Sequence, residues 1–198
     1  MATAPQPLLM TEEAYLLGEE SAEYKSEYID GHVYAMSGAK ANHNRIAGNV
    51  HVVFHAHLKG KPCQPYVSDM KVKIGSKFFY PDVMVDCTTL PGGSVYTDNP
   101  TLIVEVLSAS TRRLDETTKR VAYMQIPALQ EYVLIEQDFV KVEVMRRSEG
   151  WQSAKYYLGD DVTFESIGLT VKVADLYDRV ENADMAAWLR GEAVQEER

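Results

Sequence analysis

Two carboxylates stand where an apolar stretch of chain ordinarily excludes them. Asp82 lies within Phe79-Tyr80-Pro81-Asp82-Val83-Met84-Val85, and Glu105 lies late in Leu102-Ile103-Val104-Glu105-Val106-Leu107. Both runs are rich in β-branched and apolar residues and read as buried strands. An unpaired carboxylate in such a strand costs several kcal/mol. A divalent cation is a common reason for keeping one. Residues i and i+2 of a strand share a face, so Ile103, Glu105 and Leu107 line one side and Val104 and Val106 the other. If the two strands are neighbours, the carboxylates meet at one edge of a sheet. Two hard oxygen ligands, with open positions for water and a phosphate, suit Mg2+ or Mn2+. Such an ion lowers the pKa of a bound water and stabilises charge on a phosphoryl oxygen.

The elements that must position these acids follow from local signals. Thr11 with Glu12 and Glu13 starts a first helix. Residues 26–36 form a β-hairpin about Asp30-Gly31. Ile46, Val50, Val53, Phe54 and His57 recur at helical spacing, which predicts a helix over 41–58 that Gly60 ends. Two strands follow, over about 66–74 and 78–85, and then a loop over 86–99. The strand 101–107 leads into a helix capped by Ser110 or Thr111 and running to about Gln125, where Pro127 stops it. Further strands are predicted over 131–136, 140–146, 151–158 and 162–164, and a last helix near Ala174. The fold class is α/β: one mixed sheet flanked by helices, in a single domain over 1–180. Residues 181–198 read as an acidic, helical tail anchored by Ala186, Ala187, Trp188 and Leu189.

Composition narrows the function classes. The chain has 198 residues, 45% of them apolar and 25% charged, which suits one packed domain. Its formal net charge of −9 argues against broad attraction to nucleic acid but not against a local basic patch. No apolar run approaches the ~20 residues that span a bilayer, and no signal-peptide pattern opens the chain. Cys63 and Cys87 show no metal-ligand spacing and read as free thiols of a reducing cytoplasm.

The ordered motifs carry a resemblance. Pro81-Asp82 followed by Glu105-Val106-Leu107 resembles the PD-(D/E)xK nuclease superfamily, with its restriction-endonuclease-like fold. More closely, the chain resembles the Uma2 family of restriction endonucleases. The matching pieces are Glu27 to Gly31, His43, Tyr80 to Val83, Val104 to Thr111, Asp115 with Lys119 and Tyr123, and Glu131 to Ile135. The resemblance implies an α-β-β-β-α-β core and metal-dependent phosphodiester hydrolysis. It implies that Asp82, Glu105 and the Val106 carbonyl hold the metal, with Glu27 as a third carboxylate, and that His43 faces substrate.

One departure matters. The superfamily lysine two residues after the glutamate is Leu107 here, and an apolar group cannot polarise water. Geometry offers Lys119 instead. At 1.5 Å per helical residue and about 3.3 Å per strand residue, its ammonium reaches Glu105 if the helix folds back over the sheet. Asp115 at i−4 would steady it, and Tyr123 lies one turn on. Lys71 or Lys73 could serve in its place, and the bland alternative for Lys119 is an exposed helix face paired with Asp115. Arg112, with Arg113 and Arg120, either faces phosphate or is simply solvated. His51 and His55 have the i, i+4 spacing of a metal pair, but Val52 replaces the HExxH glutamate, so they read as helix-face residues. The expectation is therefore a Mg2+- or Mn2+-dependent endonuclease acting on nucleic acid, DNA in the first place. A homodimer would cut two strands. The alternative is a silent nuclease-fold protein that binds nucleic acid or itself.

Overall fold

The computed structural model describes residues 9–192. Helix α1 (Glu12–Glu19) is capped by Thr11, whose Oγ1 accepts from the Ala14 N–H. Strands β1 (Ser26–Ile29) and β2 (His32–Ala35) form the expected hairpin. Its turn places both Asp30 (φ 49°) and Gly31 (φ 91°) in the left-handed region. A side chain at Gly31 would also collide with Leu9, whose Cβ lies 2.8 Å from the position an added Cβ would take. Helix α2 (Ala41–Leu58) buries Ile46, Val50, Phe54 and Leu58, the stripe its sequence spacing predicts.

The next stretch departs from expectation. Each of the two predicted strands divides in two: β3 (Gln64–Val67) and β4 (Lys71–Ile74), then β5 (Lys77–Phe79) and β6 (Val83–Asp86). The halves belong to different sheets. Ser68-Asp69-Met70 makes the first crossing. Tyr80-Pro81-Asp82 makes the second, where Pro81 has no N–H to give a ladder. Asp82 therefore sits just before β6 and not inside a strand.

After β7 (Tyr96–Thr97), β8 (Pro100–Leu107) leads through a helical crossover into its parallel neighbour β9 (Glu131–Glu136). The crossover is π-helical over Leu114–Lys119 and continues as α3 (Arg120–Tyr123). Ser108 caps it, in place of the expected Ser110 or Thr111: its Oγ accepts from the Thr111 N–H, and its carbonyl from the Arg112 N–H. The remaining elements are β10 (Val142–Arg146), β11 (Ser153–Tyr156), β12 (Asp161–Phe164), β13 (Leu169–Lys172), α4 (Val173–Leu176) and α5 (Ala183–Leu189).

The main sheet runs β11-β10-β9-β8-β6-β3, with β8 and β9 parallel and the other pairs antiparallel. The second sheet runs β2-β1-β5-β4-β7. One face of the main sheet (Val83, Val104, Val106, Val133, Ile135) packs on α2 and α4. The other (Met84, Ile103, Leu107, Tyr132, Leu134) packs on α3 and on Val72 and Phe79 of the second sheet. The fold is thus mixed α/β, with mixed sheets flanked by helices. Helix α5 is capped by Asn182 and anchored by buried Met185; of the four expected anchors, Ala186, Trp188 and Leu189 are exposed and Ala187 is half-buried. Residues 193–198 of the expected tail lie outside the described residues.

Cys63 and Cys87 are bonded to each other, which corrects the free-thiol expectation. The register of β3 on β6 pairs Gln64 with Asp86, so the next residue outward on each strand is a cysteine and the two are opposed. Strands that are remote in sequence create this pairing, and spacing alone did not reveal it. No described helix is long and apolar enough to cross a membrane.

Candidate active site

The antiparallel pair β6–β8 opposes Val83 to Val104, so Asp82 and Glu105 are the next cross-strand neighbours. The break at Pro81 would leave the Val106 N–H without a ladder partner. Asp82 supplies one: its Oδ2 accepts from Val106 N at 2.7 Å. In return the Asp82 N–H points at Glu105 Oε2, at 3.4 Å. The two acids lie side by side at one end of the central β6–β8 pair, the Asp82 main chain meeting Glu105 and the Asp82 side chain meeting Val106.

Glu105 is 2% exposed and faces the helical crossover together with Ile103 and Leu107. Lys119 descends from that crossover. Its Nζ lies 2.8 Å from Glu27 Oε1, 3.1 Å from Glu105 Oε1 and 3.2 Å from Asp115 Oδ1. The Tyr123 hydroxyl donates to Glu105 Oε1 at 3.0 Å, and the Tyr132 hydroxyl donates to the Asp115 carbonyl at 3.0 Å. A π-helical turn is wider than an α-turn. It helps keep Asp115, Lys119 and Tyr123, spaced by four, turned toward the sheet. π-Turns of this kind are frequent at functional sites.

Acids outnumber cations here. Glu27, Glu105 and Asp115 crowd one lysine, and Asp82 is the next acid beside Glu105. Burial alone would lower the Lys119 pKa, but Glu105, Glu27 and Asp115 outweigh it and raise it well above the ordinary lysine value. Lys119 is therefore a fixed ammonium. Glu105 is pushed well above the usual carboxylate range by burial; Lys119 opposes that, while Asp115, Asp82 and Glu27 add to it. Burial also raises Asp115, against Lys119 and a hydrogen bond from Thr111. Asp115 Oδ1 is within ion-pair distance of Lys119, yet it lacks the geometry of a hydrogen bond and counts as unsatisfied.

His43, on the first turn of α2, places Nε2 3.2 Å from Asp82 Oδ2. Its buried Nδ1 has no partner among the described residues. Burial lowers the pKa of His43, but the bond to Asp82, the charges of Asp82 and Asp115 and the Val106 main chain together raise it above the ordinary value. Even with His43 protonated, four acids face two cations.

Asp82, Glu105, Asp115, Lys119 and His43 open together into a cleft of about 780 Å3. Other expected residues are placed differently. Glu27 is buried behind Lys119, where it also accepts from the Tyr80 N–H at 3.4 Å, and it does not line the cleft. Tyr123 is wholly buried and reaches the site only through Glu105. Arg112 is clamped on Glu136 by two bonds of 2.5 and 2.6 Å and lies outside the cleft lining. Lys73 pairs with Glu12 at 2.6 Å, and Lys71 opens into an adjoining recess. His51 and His55 stack on each other. The contact of His43 with Asp82 and the support of Asp115 by Tyr132 were not legible in the sequence. No local pattern signals either, since each joins elements far apart along the chain.

Carboxylate oxygens are the ligand type that a hard divalent cation takes. Among the described residues no group of three or more His, Cys, Asp or Glu side chains is arranged to hold a metal ion. Asp82 Oδ1 has no hydrogen-bond partner among the described residues, and the Asp82 side chain is 16% exposed.

The profile of the Uma2 family, described as “Putative restriction endonuclease”, matches residues 12–174. The chain is 36% identical over 180 residues to an uncharacterised protein of Synechocystis sp., covering 88% of this chain and 94% of that one. A second uncharacterised Synechocystis protein is 39% identical over 140 residues, covering 68% and 79%. Among solved structures, a “putative nuclease belonging to DUF820” from Anabaena variabilis superposes with a TM-score of 0.71 at 19% identity. That likeness covers 87% of this chain and 99% of the other, and it shows the shared fold.

Proposed function

The chain belongs to the Uma2 family, and on that footing we propose that it is a Mg2+- or Mn2+-dependent endonuclease hydrolysing phosphodiester bonds, DNA being the first substrate to test. The observation that carries this reading is the surplus of carboxylates about one buried lysine in an open cleft. A divalent cation would answer that surplus. Asp82 and Glu105 would hold it, with the Val106 carbonyl as a further ligand, and it would supply Lewis acidity and an acidified water.

The chain's own residues do the positioning. Lys119 keeps its proton at Nζ, so it acts as a charge and not as a base. It orients Glu105 and faces the cleft where a phosphoryl group gains negative charge. It stands in for the lysine that Leu107 replaces, since Leu107 is packed into the core. Asp115 and Glu27 fix the position of Lys119, Tyr123 orients Glu105, and His43 orients Asp82. A two-fold pair of such sites would cut two strands. The strand β2, an exposed edge of the second sheet carrying Val33 and Tyr34, is one surface such a pair could use.

Plasmid nicking tests the reading. Mg2+ or Mn2+ should convert supercoiled to open-circular DNA, EDTA should stop it, and Asp82→Ala should lower the rate by about 10²–10³-fold, the range for a lost transition-state stabiliser. Lys119→Ala should do likewise. Purified protein that nicks neither DNA nor RNA with either metal would leave the silent, nucleic-acid-binding alternative.

A further inference from the structure

A second recess adjoins the acid cleft. It measures about 680 Å3, and Glu23, Tyr24, Lys25, Val67 and Tyr80 line both spaces. Its own walls include Tyr66 and Lys71 together with the acids Glu19, Glu20 and Asp69. A nucleotide-sized ligand fits a space of this volume.

Lys71 is the unexplained group. It is only 6% exposed, and a lysine that buried is nearly always paired. Among the described residues its ammonium has neither a hydrogen bond nor an ion pair. Its one close neighbour is the Tyr80 ring, whose centroid is 5.0 Å from Nζ. Two of the acids on this wall are engaged elsewhere, and Glu20 and Glu23 make no ion pair with Lys71 among the described residues. Glu19 accepts from the Tyr80 hydroxyl at 2.6 Å and from the Ser26 N–H at 3.2 Å, and Asp69 is paired with Lys25. Burial holds the Lys71 pKa below the ordinary lysine value despite attraction from Glu19, Asp69 and Glu20, with Lys25 adding to the depression. The stem of Lys71 is buried, but its ammonium opens into the recess, where a ligand can reach it.

The chemistry of the walls says what would answer it. Tyr24 is 69% exposed beside Lys25, and half-buried Tyr66 adds aromatic surface, while Tyr80 is 4% exposed beneath Lys71. Aromatic rings interleaved with lysines are the means by which proteins hold unpaired nucleotides: bases stack and ammonium groups take phosphates. Bases paired in a duplex are not available to stack on such rings.

We propose that this recess holds an unpaired nucleotide next to the bond to be cut, with its phosphate on Lys71 and its base on the tyrosines. The substrate class is then single-stranded or locally splayed nucleic acid. This rests on the nucleic-acid substrate of the preceding reading, and it assigns Lys71 and Tyr24 to binding and not to chemistry.

Equilibrium binding in EDTA separates the two readings, because no cleavage is needed. The probes are a fluorescein-labelled single strand of oligothymidylate, about ten nucleotides long, and a blunt hairpin duplex carrying the same label. Fluorescence anisotropy is followed over a salt series with the full chain. The single strand should bind more tightly than the hairpin. Lys71→Met should weaken single-strand binding about tenfold and reduce the slope of log K against log salt by about 0.7, the loss of one phosphate contact. Lys71→Arg should keep the slope. Tyr24→Ala, at an exposed position that cannot unfold the protein, should weaken binding about tenfold and leave the slope alone. Should Lys71→Met lower the melting temperature, Tyr24→Ala and Lys71→Arg decide. Tighter binding of the hairpin, no binding of either probe, or variants that all bind as the wild type does would overturn the proposal. A protein that fails to nick yet shows the slope change keeps this inference and loses only the hydrolytic one.

Discussion

Strand β9 carries a buried carboxylate at its start, and β8 beside it carries another near its end, and the two are provided for in opposite ways. Glu131, 1% exposed, accepts from Arg146 Nε at 3.3 Å, from Glu165 N at 3.0 Å, from Ser166 N at 2.9 Å and from the Ser166 hydroxyl. One acid has four donors, and the two acids that share its arginine, Glu149 and Glu165, are about half exposed to water. Glu105, equally buried, shares its single lysine with Glu27 and Asp115 and has Asp82 as a further neighbour. Burial of both is costly. Glu105 also has donors, from Lys119, Tyr123 and at longer range the Asp82 N–H. The difference is that the acids sharing its lysine, Glu27 and Asp115, are buried as it is, whereas the rivals of Glu131 reach water.

The contrast can be broken by substitution. Lys119→Met should have the largest effect. It removes the one cation from three buried acids and should cost about 3–5 kcal/mol, the usual loss when one partner of a buried pair goes. At roughly 2–4 °C per kcal/mol for a chain of this size, calorimetry should show a melting temperature lower by about 10 °C.

The sharper test is a pair of matched substitutions. Glu131→Gln should destabilise by about 3 kcal/mol, because Arg146 loses its buried partner. Glu105→Gln, measured without metal, should do the opposite and raise the melting temperature by a few degrees, the size of about 1 kcal/mol. The sign follows from linkage. The folded-state pKa of Glu105 is raised above its unfolded value, mainly by burial. Its contribution to stability is therefore intact below the ordinary carboxylate range and lost as pH rises through the folded value. Metal-free wild type should lose stability over that rise, and Glu105→Gln should lose less. If both glutamine variants destabilise equally at every pH, the two acids are alike and the distinction fails.

Tyr123→Phe should have the smallest effect. It deletes one donor to Glu105 without touching substrate, so metal affinity or cleavage rate should fall by about tenfold, as for other groups that orient a ligand. Lys119 still holds Glu105, so the fold should survive. A rate unchanged within error would remove Tyr123 from the site.

Much of the frame was legible in the chain. The hairpin at Asp30-Gly31 and the helix over 41–58 follow from signals a few residues long. So does the pairing of an acid after Pro81 with an acid in the 101–107 strand, once those strands are neighbours. The division of the two middle strands was not legible, because which sheet each half joins depends on distant partners. The disulfide was hidden for the same reason: Cys63 and Cys87 are opposed only through the β3–β6 register.

What the residue order determined by itself is the inventory: turn residues, apolar periods, and acids set in apolar runs, all fixed by interactions along a few neighbouring residues. The tertiary structure alone decided how many donors each acid receives, that Lys119 meets Glu105 while Lys71 meets no acid, and which groups face the cleft. The cost of burying a charge depends on every dipole and charge within a few ångströms, and those neighbours come from all parts of the chain.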